Sequence, residues 1–176
     1  MTLKYQLKFY DYWHISSGLS AGAKLDSTVI KDDNGLPYVA GKIIKGLSRE
    51  MAELLENSDN FIKECFGGEG VDMGRCYFSN ATLDDTTAKQ IKDNDLQENL
   101  YDIIASTKID EKTGIAVDNS LREIEVVVPL TLVGEVRDIS DEYKEKMTQA
   151  LKMIKRMGLN RNRGLGRCEF IVEEQK

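Results

Sequence analysis

The sequence has 176 residues, a formal net charge of −6 and a hydrophobic content of 41%. That content is sufficient for one packed core, and no run approaches the roughly 18 to 20 apolar residues that cross a bilayer. The first residues alternate apolar and polar side chains and do not resemble a secretory leader. We therefore expect a single domain over residues 1–176, located in the cytoplasm and without a membrane partner.

The net charge bears on nucleic-acid binding, and the cysteine spacing bears on metal binding and disulfide formation. The sequence pI of about 5.0 argues against bulk electrostatic binding to nucleic acid, which needs an excess of lysine and arginine. Any nucleic-acid site must therefore be local. The three cysteines, Cys65, Cys76 and Cys168, form neither a zinc motif nor a disulfide pattern, so we expect reduced, structural thiols.

The first half of the chain predicts a strand, a long loop and a helix. Residues 3–14 alternate apolar and polar side chains and are rich in aromatic residues, as in a half-buried strand. Residues 15–38 contain glycine, proline and aspartate turn signals, which predict a structured loop. From residue 41 to residue 56, apolar side chains recur three and four positions apart, which predicts an amphipathic helix facing a sheet.

The second half predicts a helix, an insertion and further strands over residues 75–81, 123–136 and 167–173. Pro129 should mark an edge or a bulge of its strand. Residues 84–119 are polar and acidic, with one weak helical pattern over residues 96–104, and are expected to project as an insertion. A helix capped by Ser140, with basic residues in its last turn, should end before Gly158.

The resulting order, βαββαβ, is that of an α+β ferredoxin-like (RRM-like) domain. That fold supports many functions, so the chemistry must be sought in the loops. The sequence contains no phosphate-loop motif, dinucleotide fingerprint or zinc pattern. Its single histidine, His14, excludes a two-histidine acid/base pair, and taken alone it is best interpreted as a core or strand-end residue.

One local cationic segment joins the second helix to the last strand. Glycine allows close backbone approach to a ligand, and arginine supplies forked donors for phosphate. The candidate residues in this segment are Asn160, Arg161, Arg163, Gly164 and Gly166. The alternative is a glycine helix cap followed by a solvated turn, and composition alone does not separate the two.

A second concentration of cations lies in the first turns of the first helix, at Lys42, Lys45 and Arg49. A helix N-terminus presents unpaired amides and a positive dipole end, both of which suit phosphate. The alternative is a solvated cationic face. We expect Lys45 to converge with Arg161 and Arg163 on phosphate groups.

Asp26 is the candidate acidic residue of the long loop. It lies away from the turn signals, so its carboxylate could hold a metal, orient an attacking group or cap Thr28. Residue chemistry alone favours the cap.

Several segments resemble, in matching order, the backbone subunits of type III (Csm/Cmr) CRISPR interference complexes, which belong to the RAMP superfamily. They cover nearly the whole chain, at residues 14–18, 25–30, 36–46, 66–78, 109–125 and 158–166. The resemblance implies a ferredoxin-like RAMP domain in which residues 84–119 form a thumb-like hairpin insertion.

The resemblance also implies a function, in antiviral defence in the cytoplasm of a prokaryote. It implies a guide-binding subunit of a ribonucleoprotein effector complex, with guide crRNA, single-stranded target RNA, copies of itself and other CRISPR effector subunits as partners. It implies a metal-dependent endoribonuclease (a nuclease and hydrolase) with Asp26 as the catalytic residue and Mg or Mn as the cofactor. The implied RNA-binding residues are the helix and loop candidates above together with His14 and Arg122.

Three alternatives remain at this point. The first is a noncatalytic RAMP subunit that only binds or caps guide RNA, against which the retained Asp26 argues. The second is a guide-processing endonuclease, which is less favoured because the first helix carries no histidine. The third is a ferredoxin-like sensor of a small molecule that binds no RNA.

Overall fold

A computed structural model describes residues 1–18, 25–55, 59–68 and 72–173. Residues 19–24 of the predicted loop and residue 56 of the predicted helix lie outside this part. In the described part the elements are, in chain order, β1 (Leu3–Phe9), α1 (Gly41–Leu55), α2 (Asp59–Phe66), β2 (Tyr77–Phe78), α3 (Asp85–Asp93), β3 (Tyr101–Ser106), β4 (Arg122–Val127), β5 (Thr131–Arg137), α4 (Lys144–Met153) and β6 (Cys168–Val172). No helix in these segments is long and apolar enough to cross a membrane.

The main sheet confirms the predicted fold. It has four antiparallel strands in the order β2-β5-β1-β6. α1 lies between β1 and β2 in the chain, and α4 lies between β5 and β6, so the sheet and these two helices form the βαββαβ unit. Because β1 lies between β5 and β6, the first and last thirds of the chain meet at the centre of the sheet.

One face of this sheet carries the core. Along β1 every second side chain is buried, namely Leu3, Tyr5, Leu7 and Phe9. The side chains between them are exposed on the opposite face, namely Lys4, Gln6 and Lys8. The buried stripes of α1 and α4 join the same core, which confirms that both helices cover a single face. Burial of one such leucine contributes about 2 kcal/mol to stability.

The predicted strand over residues 123–136 is wrong as a single element. It divides at Pro129 into β4, which pairs with β3 in a separate two-stranded sheet, and β5, which joins the main sheet. Proline lacks a backbone donor, so the ladder cannot continue through it. The alternation of apolar side chains continues across the break, and for that reason the sequence pattern did not reveal it.

Two helices were not predicted. α2 follows α1 closely, and α3 begins where the Asp84 carboxylate accepts a hydrogen bond from the Thr87 amide at 3.0 Å. The weak helical pattern over residues 96–104 is instead a short 3₁₀ turn followed by β3. β3 and β4 form a hairpin that extends beyond residue 119, the end assigned to the insertion.

The second predicted helix is shorter than expected. α4 ends at Met153, and Ile154 is already extended, with a ψ of 107°. Ser140 precedes a 3₁₀ turn, and its hydroxyl donates to the Glu64 carboxylate instead of capping the helix. Lys152 lies in the last helical turn as expected, whereas Lys155 and Arg156 lie on an extended segment beside β6, where Arg156 forms an antiparallel β-bridge with Arg167.

Gly41 starts α1 at a point where there is no room for a side chain. A Cβ at Gly41 would overlap the backbone carbonyl oxygen of Phe78, whereas a Cβ at Gly46 on the same helix would meet nothing within 4 Å. The Gly41 amide also donates to the Asn80 side chain at 2.9 Å. The start of α1 is thus held directly against the end of β2.

We predict that Gly41→Ala lowers the free energy of unfolding by about 2 kcal/mol, because the added methyl group must push α1 away from β2. The matched control, Gly46→Ala, should raise it by about 0.5 kcal/mol or more, since alanine favours an unobstructed helix position. Urea unfolding followed by circular dichroism measures both. Equal effects of the two substitutions would contradict the close approach at Gly41.

Candidate nucleic-acid interface

His14 is the point where three parts of the chain meet. Its imidazole is fully buried, with Nδ1 2.6 Å from the Glu125 carbonyl oxygen and Nε2 3.0 Å from Ser27 Oγ. A carbonyl oxygen only accepts, so Nδ1 carries a proton; in the neutral ring, Nε2 then accepts from the Ser27 hydroxyl. The His14 backbone carbonyl also accepts from the Leu159 amide at 2.9 Å.

This burial changes the expectation for His14. The ring nitrogens are both engaged inside the protein, so the side chain offers no atom for direct contact with RNA in this structure. Its place is that of a core histidine, the alternative that residue chemistry favoured. It joins the loop of Asp26, strand β4 and the glycine-arginine loop (residues 158–167), and we call these contacts the His14 junction.

The segment that carries Asp26 runs alongside β4. The Asp26 amide donates to the Glu123 carbonyl at 2.9 Å, and the Glu125 amide donates to the Ser27 carbonyl at 3.1 Å. Asp26 Oδ2 accepts from the Glu123 amide at 2.8 Å. The carboxylate therefore caps the start of β4 and not Thr28, while the residue itself remains exposed.

Glu125 holds the rest of this segment, a role that sequence reasoning missed. Its carboxylate accepts from the Val29 amide at 3.0 Å and from Lys31 Nζ at 2.8 Å. Lys31 Nζ also lies 3.7 Å from the centre of the Tyr101 ring, on β3. Burial, together with the nearby Glu125 charge, raises the pKa of Tyr101 above its usual value. The sequence carried one sign of this role, namely that Glu125 is a charged residue within the predicted strand.

The glycine-arginine loop docks against the residues after β1. Gly158 and Gly166 both have positive φ angles, of 88° and 70°. A Cβ at Gly158 would overlap the His14 carbonyl oxygen, and the Gly166 amide donates to the Tyr12 carbonyl at 2.8 Å. Glycine is therefore required for the loop to lie this close to the His14 junction.

Arg161 and Arg163 project from this loop into solvent. Within the described part of the chain, no carboxylate forms an ion pair with either of them, or with Lys155. Arg156 donates to the Arg161 carbonyl at 3.2 Å. Sequence reasoning missed Lys155 and Arg156 because it assigned them to a helix, although their nearness to the arginines was a usable signal.

The remaining loop candidates shape this cationic surface through the backbone. Asn160 has a φ of 55°, and its carbonyl accepts from the Arg163 amide at 2.7 Å. Gly164 has a φ of 93° and is exposed, and a Cβ added there would meet no atom within 4 Å. The chain therefore turns tightly between the two arginines, and their side chains lie at the outer edge of the turn.

The cations of α1 do not join that surface. Lys45 and Leu47 point about 200° apart around the helix axis. Arg161 lines a hollow together with Leu47, on one flank of α1. Lys45 lies on the other flank, close enough to Cys76 to help lower the pKa of that thiol. Lys45 and the loop arginines therefore lie on different flanks of α1 within a single copy of the chain, and their convergence on RNA phosphates stays a prediction.

The other two cations of α1 and Arg122 differ in their surroundings. Lys42 is exposed in the first turn of α1, whereas Arg49 Nε pairs with Glu53 at 2.9 Å. Arg122 is exposed at the start of β4, next to the residue whose amide bonds the Asp26 carboxylate. Of these three, only Arg122 adjoins the Asp26 segment.

The described residues offer no ready-made metal cluster at this site. Within the described residues, no three His, Cys, Asp or Glu side chains cluster closely enough to hold a metal ion. Mg²⁺ commonly retains several waters and takes one or two protein carboxylates together with substrate phosphates. Asp26, whose side chain is exposed, fits that pattern as a single protein ligand.

We predict that Glu125→Ala lowers the free energy of unfolding by about 2 kcal/mol, because it removes two hydrogen bonds and leaves Lys31 half-buried and unpaired. The control, Glu123→Ala, keeps the backbone bonds to Asp26 and should change stability by less than about 0.5 kcal/mol. Chemical denaturation measures both variants. Equal destabilisation by the two would mean that the Glu125 carboxylate does not hold the segment.

Comparisons with known proteins place this geometry in a family. A search of curated proteins finds no match. A chain in a cryo-EM structure of the Type III-B Cmr-beta bound to cognate target RNA matches with a TM-score of 0.77 and 10% identity, over 98% of this chain and 97% of that one. A chain in the apo state of Type III-B Cmr-beta matches with a TM-score of 0.75 and 10% identity, over 99% and 98%. The family model of the RAMP superfamily matches residues 7–169, so the protein belongs to the RAMP superfamily.

Proposed function

We propose that this protein is a guide-RNA-binding backbone subunit of a type III CRISPR effector complex and that it cuts the paired target RNA with Asp26. One observation carries the proposal: the unpaired cations of the glycine-arginine loop are fixed to the same buried His14 that fixes the segment of Asp26. An RNA strand held by the loop would thus lie in a set position relative to the carboxylate.

The charge distribution supports phosphate binding at the loop. Four other arginines have carboxylate partners, in the pairs Arg49–Glu53, Arg75–Glu64, Arg137–Glu135 and Arg167–Asp11. In each of these pairs the carboxylate offsets the charge of the arginine. Lys155, Arg161 and Arg163 have no such partner in the described residues. The forked guanidinium groups of the two arginines and the ammonium group of the lysine are therefore available to bind phosphate.

The proposed cleavage step uses in-line attack by a ribose 2′-hydroxyl of the target on the adjacent phosphate. The P–O2′ bond forms and the P–O5′ bond breaks, which leaves a 2′,3′-cyclic phosphate and a 5′-hydroxyl, and the proton lost by the 2′-hydroxyl balances the one taken up by the 5′-oxygen. The alignment of sugar and phosphate comes from the surrounding RNA contacts, and a fixed Asp26 carboxylate contributes orientation and charge at that linkage. A bound Mg or Mn ion would supply charge stabilisation for the phosphate oxygens. The backbone bonds between Asp26 and Glu123 keep the carboxylate in place without burying it.

Guide crRNA, target RNA, further copies of this chain and other effector subunits are the partners that follow from this role. The similar chains belong to Cmr-beta structures, one of them with target RNA. The hairpin of β3 and β4 carries exposed apolar side chains at Ile103, Ile115 and Leu121, which suits a thumb that contacts RNA or a neighbouring subunit. The cytoplasm of a prokaryote is the corresponding location.

A noncatalytic guide-binding subunit is the second candidate. The observation that favours it is that one oxygen of Asp26 already accepts a backbone bond, while Asp26 belongs to no group of three or more metal-ligating side chains among the described residues. Under this alternative Asp26 only shapes the groove. The two functions predict opposite behaviour for an asparagine substitution.

We predict that Arg161→Ala combined with Arg163→Ala weakens binding of the full chain to single-stranded RNA of mixed sequence, equally for all sequences. The slope of log affinity against log salt should become shallower by about 0.7 for each phosphate that the variant no longer neutralises. Fluorescence anisotropy across a salt series measures this. Arg137→Ala, at an exposed but paired arginine, is the matched control and should leave the slope unchanged. An unchanged slope in the double variant would count against the loop.

We predict that Asp26→Asn lowers the rate of target cleavage by roughly 100-fold or more, while target binding is retained. The asparagine oxygen can still accept from the Glu123 amide, so the segment keeps its position and only the charge is removed. Asp26→Ala, which removes both the charge and the acceptor, separates the contribution of the bond. The effector complex purified with each variant is assayed for binding and for cutting with and without Mg²⁺. Wild-type cleavage by Asp26→Asn would leave the noncatalytic function.

A further inference from the structure

Two of the three cysteines, which are separated by a turn in the sequence, are neighbours in the fold. Cys65 stands in the last turn of α2 and Cys76 directly precedes β2. The Cys76 amide donates to the Cys65 carbonyl at 3.2 Å, and beside it the Arg75 amide donates to the Glu64 carbonyl at 2.7 Å. A direct backbone bond of this kind sets the two Cα atoms at a separation that a disulfide can span, roughly 4.4 to 6.8 Å.

The two thiols act on each other's protonation, and their pKa values shift in opposite directions. The bond to Cys76, and then burial, raises the pKa of Cys65, so this thiol stays protonated. The bond received from Cys65 lowers the pKa of Cys76, with further help from the nearby charges of Lys45 and Arg75. In the neutral state the chain of bonds continues from Cys76 Sγ to the Asp138 carbonyl oxygen, at 3.8 Å.

The two thiols also differ in solvent exposure, and the thiol with the lowered pKa, Cys76, is the more exposed one. Cys65 is fully buried, whereas Cys76 keeps 5% of its surface exposed. Cys168 provides the contrast, because burial raises its pKa to about 12. It lies on β6 opposite Phe9 of β1, where its neighbour across the ladder is an aromatic side chain and not another thiol.

We propose that Cys65 and Cys76 form an oxidation site at which a small peroxide produces an intramolecular disulfide. The Cys76 thiolate attacks one oxygen of hydrogen peroxide, the O–O bond breaks, and the released hydroxide takes up a proton to become water. The Cys76 sulfenic acid is then attacked by the Cys65 sulfur, the S–O bond breaks, and the oxygen leaves as a second water with the Cys65 proton. Two thiols are oxidised and one peroxide is reduced.

The disulfide would close the segment between α2 and β2 covalently. In the reduced protein that closure rests on backbone bonds, those of Arg75 and Cys76 to the end of α2 and that of Gly68 to Asp72. A cross-link over a loop of this length restricts the unfolded chain, so the oxidised protein should melt about 5 °C or more above the reduced one. The inference is independent of RNA binding and of Asp26.

The test treats the full chain with hydrogen peroxide, removes the excess with catalase, and alkylates the remaining thiols in denaturant. Trypsin then separates peptide 64–75, with Cys65, from peptide 76–89, with Cys76. We expect these two peptides linked by a reducible bond, with Cys168 alkylated in full. Cys168→Ala should give the same link, and Cys65→Ser should leave a Cys76 sulfenic acid that dimedone traps.

Met73 provides an internal measure of oxidant exposure, because its side chain is 91% exposed. If Met73 is converted to the sulfoxide while all three thiols remain open to alkylation, the proposal fails. A link that includes Cys168, or a Cys168 that is oxidised as fast as Cys76, overturns it as well. Cys76→Ser should protect Cys65 from oxidation, and oxidation of Cys65 in that variant would reverse the proposed order of attack.

Discussion

The hydrogen bonds of the buried His14 are the interaction on which the arrangement of the candidate site depends. Three segments that are remote in sequence bond to this one residue: the ring holds Ser27 and Glu125, and the backbone carbonyl holds Leu159. A buried imidazole is stable only when both nitrogens are satisfied. That requirement fixes the Asp26 segment, strand β4 and the glycine-arginine loop relative to the core, although none of them belongs to the main sheet.

The charge around this junction depends on which cations lack a carboxylate partner. The chain is acidic overall, and carboxylates pair with Arg49, Arg75 and Arg137, and with Arg167 at the end of the glycine-arginine loop. A cation paired with a carboxylate presents little net field to a phosphate, and salt screens what remains. Arg161 and Arg163 of the loop, and Lys155 before it, form no such ion pair in the described part of the chain, and for this reason they are the proposed phosphate contacts of an acidic protein. Arg122 is exposed beside the Asp26 segment, at the proposed point of cleavage.

Backbone conformation sets how closely these parts approach one another. Gly158 and Gly166 allow the loop to lie against the residues after β1, where a side chain would overlap a carbonyl oxygen. Gly41 does the same for α1 and the end of β2. Pro129 acts in the opposite way, because it interrupts the ladder and lets β4 leave the main sheet to pair with β3. The hairpin and the sheet are thus built from one continuous run of alternating residues.

The sequence alone determined the βαββαβ order, the buried face of β1, the extent of α1 and the cationic character of residues 158–167, because these follow from periodicity and local composition. It also identified Asp26 and His14 as unusual residues. It did not determine their partners. The bond from the Glu123 amide to Asp26, the bonds of Glu125 to the Asp26 segment, and the pairing of Cys65 with Cys76 join residues that no local pattern connects. The split at Pro129, the end of α4 at Met153 and the separation of Lys45 from Arg161 were decided by tertiary packing, because the local pattern was compatible with either outcome.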